Sequence, residues 1–258
     1  MIDKDGPPGG SRVPAVVRAA TILRLLAAEP SGLGVNEISR RAGIVFSTCY
    51  HVLRTLADEG FVTFDRKKKT YQTDIGLLTL VHGMIAANDY PRVVQPILDK
   101  LARDHLVTAL AVETIGRDRM VVAAVTPAPR LISLDVNVGS LFPSFIGATG
   151  RCAAAASGLS RDELQARFAQ LRWERAPKFE DWYAEVEEVG RGSFAIDRGD
   201  YIRGLTSIAT LLPYRAPHAT RSIALIGFDH HMTEQVIPQL KDSLLEASRL
   251  VVSQLIDF

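Results

Sequence analysis

The chain is predicted to be an α+β protein in two domains, and three observations carry that prediction. Two short amphipathic helices are separated by a glycine turn near the N-terminus, a β-hairpin follows them directly, and in the longer remainder strand-like runs interleave with helices in hairpin order. The first helix runs from Ala15 to Ala28, with Val16, Ala19, Ile22, Leu23 and Leu26 on one side, and Pro30, Gly32 and Gly34 then break the chain. Val35, Ile38 and Ala42 fall at i, i+3 and i+7, giving a second helix its apolar stripe. Gly43 follows, where a tight turn needs a residue tolerant of positive φ. Cys49, Val52, Leu53 and Leu56 form the inward stripe of a third helix that ends near Gly60. Phe61 to Phe64 alternates into a turn at Asp65 to Lys69, and Thr70 to Thr73 returns as the second arm of a hairpin.

Three helices and such a hairpin spell a winged helix-turn-helix, in which the later helix of the pair enters the major groove of DNA. The side chains this leaves facing a ligand are Phe46, Ser47, Thr48, Tyr50, His51 and Arg54. Ser47 and Thr48 offer hydroxyls to phosphates or bases, Phe46 suits a thymine methyl, and Tyr50 and His51 suit base edges or phosphate. No arginine fork stands in the first turns. Arg66, Lys67, Lys68 and Lys69 sit at the wing tip, where backbone phosphates would lie, although a charge run is most often a solvated turn. Four phosphate contacts in each half of a dimer imply that affinity falls on the order of 10⁴ between 50 and 200 mM salt. The charge distribution points the same way: residues 1–75 hold 11 Lys and Arg against 8 Asp and Glu, a modest basic excess.

After the wing, residues 74–88 carry Ile75, Leu77, Leu78, Leu80, Val81 and Met84, an apolar surface too broad for a lone exposed helix, and read as a connector and dimer contact. Beyond Pro91 a helix spans Val93 to Asp104, and strands follow at Val107 to Thr114, Met120 to Thr126 and Leu131 to Val136. Helices are expected at Ala148 to Ala156, Arg161 to Leu171 and Asp181 to Arg191. Further strands fall at Phe194 to Asp197, Ile208 to Leu212 and Ser222 to Phe228, and a long helix, Glu234 to Ile256, closes the chain. The expected boundaries are therefore an N-terminal arm at 1–13, the DNA-binding domain at 14–73, the linker helix at 74–90 and a second domain at 91–258.

Composition excludes several classes. With 47% hydrophobic and 23% charged residues the chain is neither disordered nor fibrous. No run approaches the roughly 18 to 20 apolar residues of a spanning helix, and the first residues are not a charged-then-apolar leader, so a cytoplasmic protein without membrane contact is expected. The two cysteines, Cys49 and Cys152, lie on apolar helix sides and read as buried thiols. No metal-ligand spacing, phosphate-binding glycine loop or nucleophile elbow is present, so neither a cofactor, a metal nor an enzyme activity is expected. His230 and His231 beside Asp229 read as a polar turn, since neighbours on a strand end point to opposite faces.

The stretch Val16 to Gly76 resembles the N-terminal domain of the IclR family of bacterial transcriptional regulators. The second domain carries that family's landmarks, Val138-Gly139-Ser140 leading through Pro143 to Gly150, then Gly192 to Asp197 and Gly204 to Ala209. The resemblance covers nearly the whole chain and implies a GAF-like second domain, an antiparallel sheet flanked by helices, that binds a small effector. It implies a pocket at Phe145, Gly147, Ala148, Thr149, Asp197, Ser207 and Ile226. The residues alone support one part of this: a helix starting at Gly147-Ala148-Thr149 offers free N–H groups and the positive end of its dipole to a carboxylate. Phe145 replaces the histidine of many members, Gly147 a Thr or Ser, Ser207 a cysteine and Ile226 a serine, and each change removes or weakens a polar contact. The expectation is a repressor of a catabolic operon, either a homodimer or a dimer of dimers, binding palindromic double-stranded operator DNA and sensing a small aromatic or otherwise apolar organic acid. The alternative is a constitutive architectural DNA binder with a vestigial pocket.

Overall fold

The computed structural model describes residues 13–80, 89–116, 118–128, 134–213 and 220–256. The chain divides into two compact units, Met1–Ala87 and Asn88–Phe258.

In the first unit, α1 (Pro14–Ala27), α2 (Val35–Ala42) and α3 (Phe46–Asp58) enclose Ile22, Leu26, Ile38, Cys49, Leu53 and Leu56. Proline opens α1 at a position whose N–H no helix uses. Gly43 closes α2 at φ +65°, the left-handed cap that the sequence placed there. The wing is an antiparallel hairpin of β1 (Val62–Asp65) and β2 (Thr70–Thr73), with Val62 opposite Thr73 and Asp65 opposite Thr70. Tyr71 bridges to Leu33 through paired backbone bonds, which fixes the wing to the segment between α1 and α2. Chain leaving the wing passes so close to the end of α3 that a Cβ on Gly76 would lie 2.2 Å from the Gly60 carbonyl oxygen. Of the expected linker helix, 74–76 form a turn and 77–80 are helical, whereas 81–88 lie outside the described residues.

The second unit comprises α4 (Asp89–His105), β3 (Thr108–Ile115), β4 (Arg119–Thr126), β5 (Leu141–Pro143), α5 (Gly147–Ala155), α6 (Arg161–Phe168), α7 (Phe179–Gly190), β6 (Phe194–Arg198), β7 (Leu205–Leu211), β8 (Arg221–Phe228) and α8 (Ile237–Ile256). All strand pairs are antiparallel, in the spatial order β5-β4-β3-β8-β7-β6. Alternation along each strand divides the core in two. Ala109, Ala111, Ile208, Ile223 and Leu225 pack against α4 and α8, whereas Leu110, Val112, Ala195, Ala209 and Ala224 face α5 and α7. Alanines dominate the second face beneath α5, so that helix can approach the sheet closely.

Three differences from the sequence reading have physical causes. The helix expected from Val93 begins at Asp89, because Pro91 in a first turn costs no hydrogen bond. Leu134 to Val136 carry no strand, the rest of that expected strand lying outside the described residues; Val136 N–H donates to the Leu134 carbonyl at 2.9 Å, a tight local turn. Among the described residues the edge of the sheet is instead Leu141–Pro143, where a proline is tolerated because no further described strand needs the N–H it lacks.

Candidate functional site

Two surfaces carry the candidate chemistry, one in each unit. On α3 the buried stripe of Cys49, Leu53 and Leu56 turns Val45, Phe46, Ser47, Tyr50, His51 and Arg54 to solvent, and Thr48 is half-buried. Phe46 keeps 49% and Tyr50 43% of its surface exposed. Tyr50 and His51 meet edge to face with ring centres 6.1 Å apart. Arg66, Lys67, Lys68 and Lys69 all fall in the exposed wing turn. Asp65 organises that turn: its carboxylate accepts the N–H of Lys67 at 2.8 Å and of Lys68 at 3.1 Å, and those bonds hold its pKa below the usual carboxylate range. Lys69 closes the turn at φ +55°. The two arginines of α2 are engaged differently. Arg40 and Arg41 both donate to Glu37, which pulls the Glu37 carboxyl down to about 2, and Arg41 also donates to Glu29.

In the second unit, Asp197, Ser207 and Ile226 form one cross-strand row, since Ser207 pairs with Asp197 in β6 and with Ile226 in β8. The row floors a partly open cavity of about 340 Å³, also lined by Val136, Phe142, Tyr201 and Leu205. A recess of about 60 Å³ adjoins it, sharing Phe142, Tyr201, Ser207 and Ile226, and is lined by Gly147, Ala148 and Thr149. The first bond of α5 runs from Gly150 N–H to the Ile146 carbonyl, so the helix itself makes no use of the N–H groups of Gly147, Ala148 and Thr149. Together the two spaces form an apolar chamber with hydroxyl and carboxylate groups on its floor and a helix start at one end, a combination suited to an apolar body bearing an acid group.

Phe145 is not among the residues lining either space. It adopts φ +73° and packs into the core between sheet and helices, with the Arg167 guanidinium 5.7 Å from its ring centre. Gly150 explains this placement, because a Cβ there would fall 2.2 Å from the Phe145 carbonyl carbon: the backbone folds back over the helix start and carries the phenyl ring inward.

Beneath the chamber, a cluster joins Asp197, singled out from sequence, to Arg151, Glu185 and Asp200, which were not. Arg151, on α5, is 1% exposed and contacts Glu185 of α7 at 2.7 Å, Asp197 at 3.5 Å and Asp200 at 3.5 Å, while donating to the Gly147 carbonyl at 3.1 Å. Asp197 also accepts the Tyr201 N–H at 3.4 Å, closing the turn after β6. Burial raises the carboxyl pKa of both Asp197 and Glu185, against the pull of Arg151. The signal in the sequence was a single charge inside an otherwise small, apolar helix, GATGRCAAA. Cys152 beside it is inert, its thiol pushed up to about 12 by burial. Among the described residues no group of three His, Cys, Asp or Glu side chains is placed to hold a metal ion, and no helix is long and apolar enough to cross a membrane.

Comparison with known proteins follows the same division. The family model of the IclR helix-turn-helix domain matches residues 15–66, and that of the bacterial transcriptional regulator IclR C-terminal domain matches residues 82–253. The Pca regulon regulatory protein of Pseudomonas putida is 26% identical over 253 residues, covering 93% of this chain and 84% of the relative. A crystal structure of an IclR transcriptional regulator from Alicyclobacillus acidocaldarius superposes with a TM-score of 0.79 at 23% identity, covering 94% of this chain and 99% of that one. An IclR homolog from Microbacterium hydrocarbonoxydans, solved in complex with 4-hydroxybenzoate, gives a TM-score of 0.75 at 15% identity, covering 95% and 100%.

Proposed function

This chain belongs to the IclR family of bacterial transcriptional regulators, and from that premise we propose that it is a ligand-responsive repressor of a catabolic operon whose effector is a small aromatic or otherwise apolar organic acid. The observation that carries this reading is the chamber over Asp197, Ser207 and Ile226, whose volume lies within the range of small-molecule pockets and whose walls are chiefly apolar. Ile226 and Phe142 accommodate a ring or a hydrocarbon body, and the start of α5 takes the carboxylate. That a homolog was solved with 4-hydroxybenzoate supports the class of ligand.

The working division is a DNA-binding domain at 14–73, a linker helix at 74–90 and an effector domain at 91–258, in a cytoplasmic homodimer or dimer of dimers. Phe46, Ser47, Thr48, Tyr50, His51 and Arg54 face the bases of a palindromic operator, and Arg66 to Lys69 meet its phosphates. The linker carries the signal, and the solvent exposure of Ile75, Leu78 and Leu80 supports its role as a contact between protomers. A tenfold change in operator affinity requires only about 1.4 kcal/mol of coupling between ligand and DNA.

The test combines a thermal-shift panel with operator binding. Aromatic acids such as 4-hydroxybenzoate are expected to stabilise the full chain and to weaken its DNA complex. Stabilisation by small keto acids alone would reject the apolar preference. No stabilisation by any acid, with DNA affinity unaffected, would leave the constitutive architectural binder.

A further inference from the structure

The surface of α3 has an unusual chemistry for a helix that reads DNA. Bidentate recognition of guanine uses arginine or lysine, and that of adenine uses asparagine or glutamine. From Val45 to Leu53 the chain contains none of these four residues, and Arg54 enters only in the third turn of the helix. Beside Ser47 and His51, what this face exposes is large and apolar: Val45 is 73% exposed, Phe46 49% and Tyr50 43%. Phe46 and Tyr50 stand at i and i+4, so their rings share one side of the helix and form a strip about one turn, roughly 5.4 Å, long. The core of the unit does not use them. The major groove presents a single apolar group, the C5 methyl of thymine, and stacked bases rise by about 3.4 Å, so two such rings span one or two base steps.

We propose that the operator is read chiefly through thymine methyl groups gripped by Val45, Phe46 and Tyr50, with the hydroxyls of Ser47 and Tyr50 adding single hydrogen bonds. The proposal rests on the DNA-binding reading given above and names what that surface recognises. Nucleic acid is the occupant that charge favours: Arg54 lies on the exposed face of the same helix, and the wing of the same unit presents Arg66, Lys67, Lys68 and Lys69 with no acidic residue beyond Asp65, whose carboxylate is turned to its own backbone. Each half-site should then place thymines at adjacent or next-adjacent steps beneath the N-terminal end of α3.

The experiment uses the full chain and the operator it selects from genomic fragments at low salt. Each thymine is replaced in turn by deoxyuridine, which removes the methyl and keeps every hydrogen-bonding edge. Burial of one methyl corresponds to about a fourfold change in affinity, so a symmetric pair of replacements should weaken binding by roughly 15-fold. The loss should vanish in Phe46→Ala, persist in Phe46→Leu, and be reversed by 5-methylcytosine where a contacted thymine has been replaced by cytosine. If thymine and deoxyuridine bind equally at every position while the operator is still selected, methyl reading is overturned and the regulator stands. Selection of no operator overturns both. Dissociation of the dimer by Phe46→Ala, with no effect of deoxyuridine, would assign the strip to a second copy of the chain and also overturn the proposal.

Discussion

The guanidinium of Arg151 lies 3.5 Å from the carboxylate of Asp197, and both side chains are sealed from solvent. Through that contact, the ion pair to Glu185 and the bond to the Gly147 carbonyl, one side chain ties the start of α5 to the cavity floor and to α7. The two walls that meet a ligand are thereby held in register. Removing the cation while the Asp197 carboxylate remains buried is far costlier than the net worth of any one pair. Arg151→Met is therefore expected to destabilise the second unit by roughly 3 to 5 kcal/mol in urea unfolding, with Arg151→Lys intermediate because one ammonium cannot reach all the partners. A loss within about 1 kcal/mol for the Met variant would show that the cluster does not organise the fold.

The same cluster sets a pH dependence. Burial raises the Asp197 and Glu185 carboxyls above their ordinary values of 3.8 and 4.5. Below those values both states are protonated. As pH rises through them, the unfolded chain releases its protons first, so the folded state loses stability until its own, higher pKa is passed. Glu37 has the opposite sign: its carboxyl lies at about 2, so its contribution is present above 4.5 and is lost as pH falls through about 2. Both tryptophans, Trp173 and Trp182, belong to the second unit, and their fluorescence reports that unit separately. The stability of wild type relative to Asp197→Asn, followed this way, should decline with rising pH from about pH 4, whatever the lowered carboxyls of Asp99 and Asp104 add to both. An unchanged slope in that variant would remove Asp197 as a source.

Gly147 and Gly150 look interchangeable in the sequence, yet they should respond differently to alanine. At Gly150 a Cβ would lie 2.2 Å from the carbonyl carbon and 2.7 Å from the Cα of Phe145, with no flexible group to yield. At Gly147 the nearest atom is a Tyr201 ring carbon at 3.8 Å, and only the φ of +68° opposes a side chain. Gly147→Ala should cost about 1 to 2 kcal/mol, whereas Gly150→Ala should cost about 3 kcal/mol or prevent folding of the unit. Equal midpoint shifts in denaturant would contradict this placement of Phe145.

The sequence made the DNA-reading unit legible almost to the residue, because Gly43 and Gly60 punctuate its helices and the stripe of Cys49, Leu53 and Leu56 has a clear helical period. Strands β3, β7 and β8 were visible for the same kind of reason, apolar runs bounded by polar turns. The edge strand was not, since three residues ending in proline have no period to detect. In the chamber, Asp197, Ser207 and Ile226 come together only through strand register, which the order of residues does not display. Phe142 and Tyr201 arrive from an edge strand and a loop, and the acids around Arg151 are 34 to 49 positions away from it in the chain. Phe145 was expected at the pocket from the family resemblance. Its left-handed backbone, rare for an aromatic residue, sends the ring into the core instead.

Ile226 offers the sharpest test of ligand class. It faces both the chamber and the recess, directly across from Ser207, and its side chain supplies apolar surface where a hydroxyl would offer a hydrogen bond. Ile226→Ser removes that surface and adds a donor within the row that already holds Asp197 and Ser207. A part-buried side chain of this size contributes about 1 to 2 kcal/mol of apolar contact to a ring-bearing ligand, which corresponds to roughly a tenfold loss of affinity for aromatic acids. Small keto acids, which have little apolar surface to lose, should gain or hold affinity because the new hydroxyl can bond their oxygens. Titration calorimetry on wild type and variant with one acid of each kind measures both changes. Parallel loss of both ligands would mean that Ile226 supports the chamber without selecting what enters it.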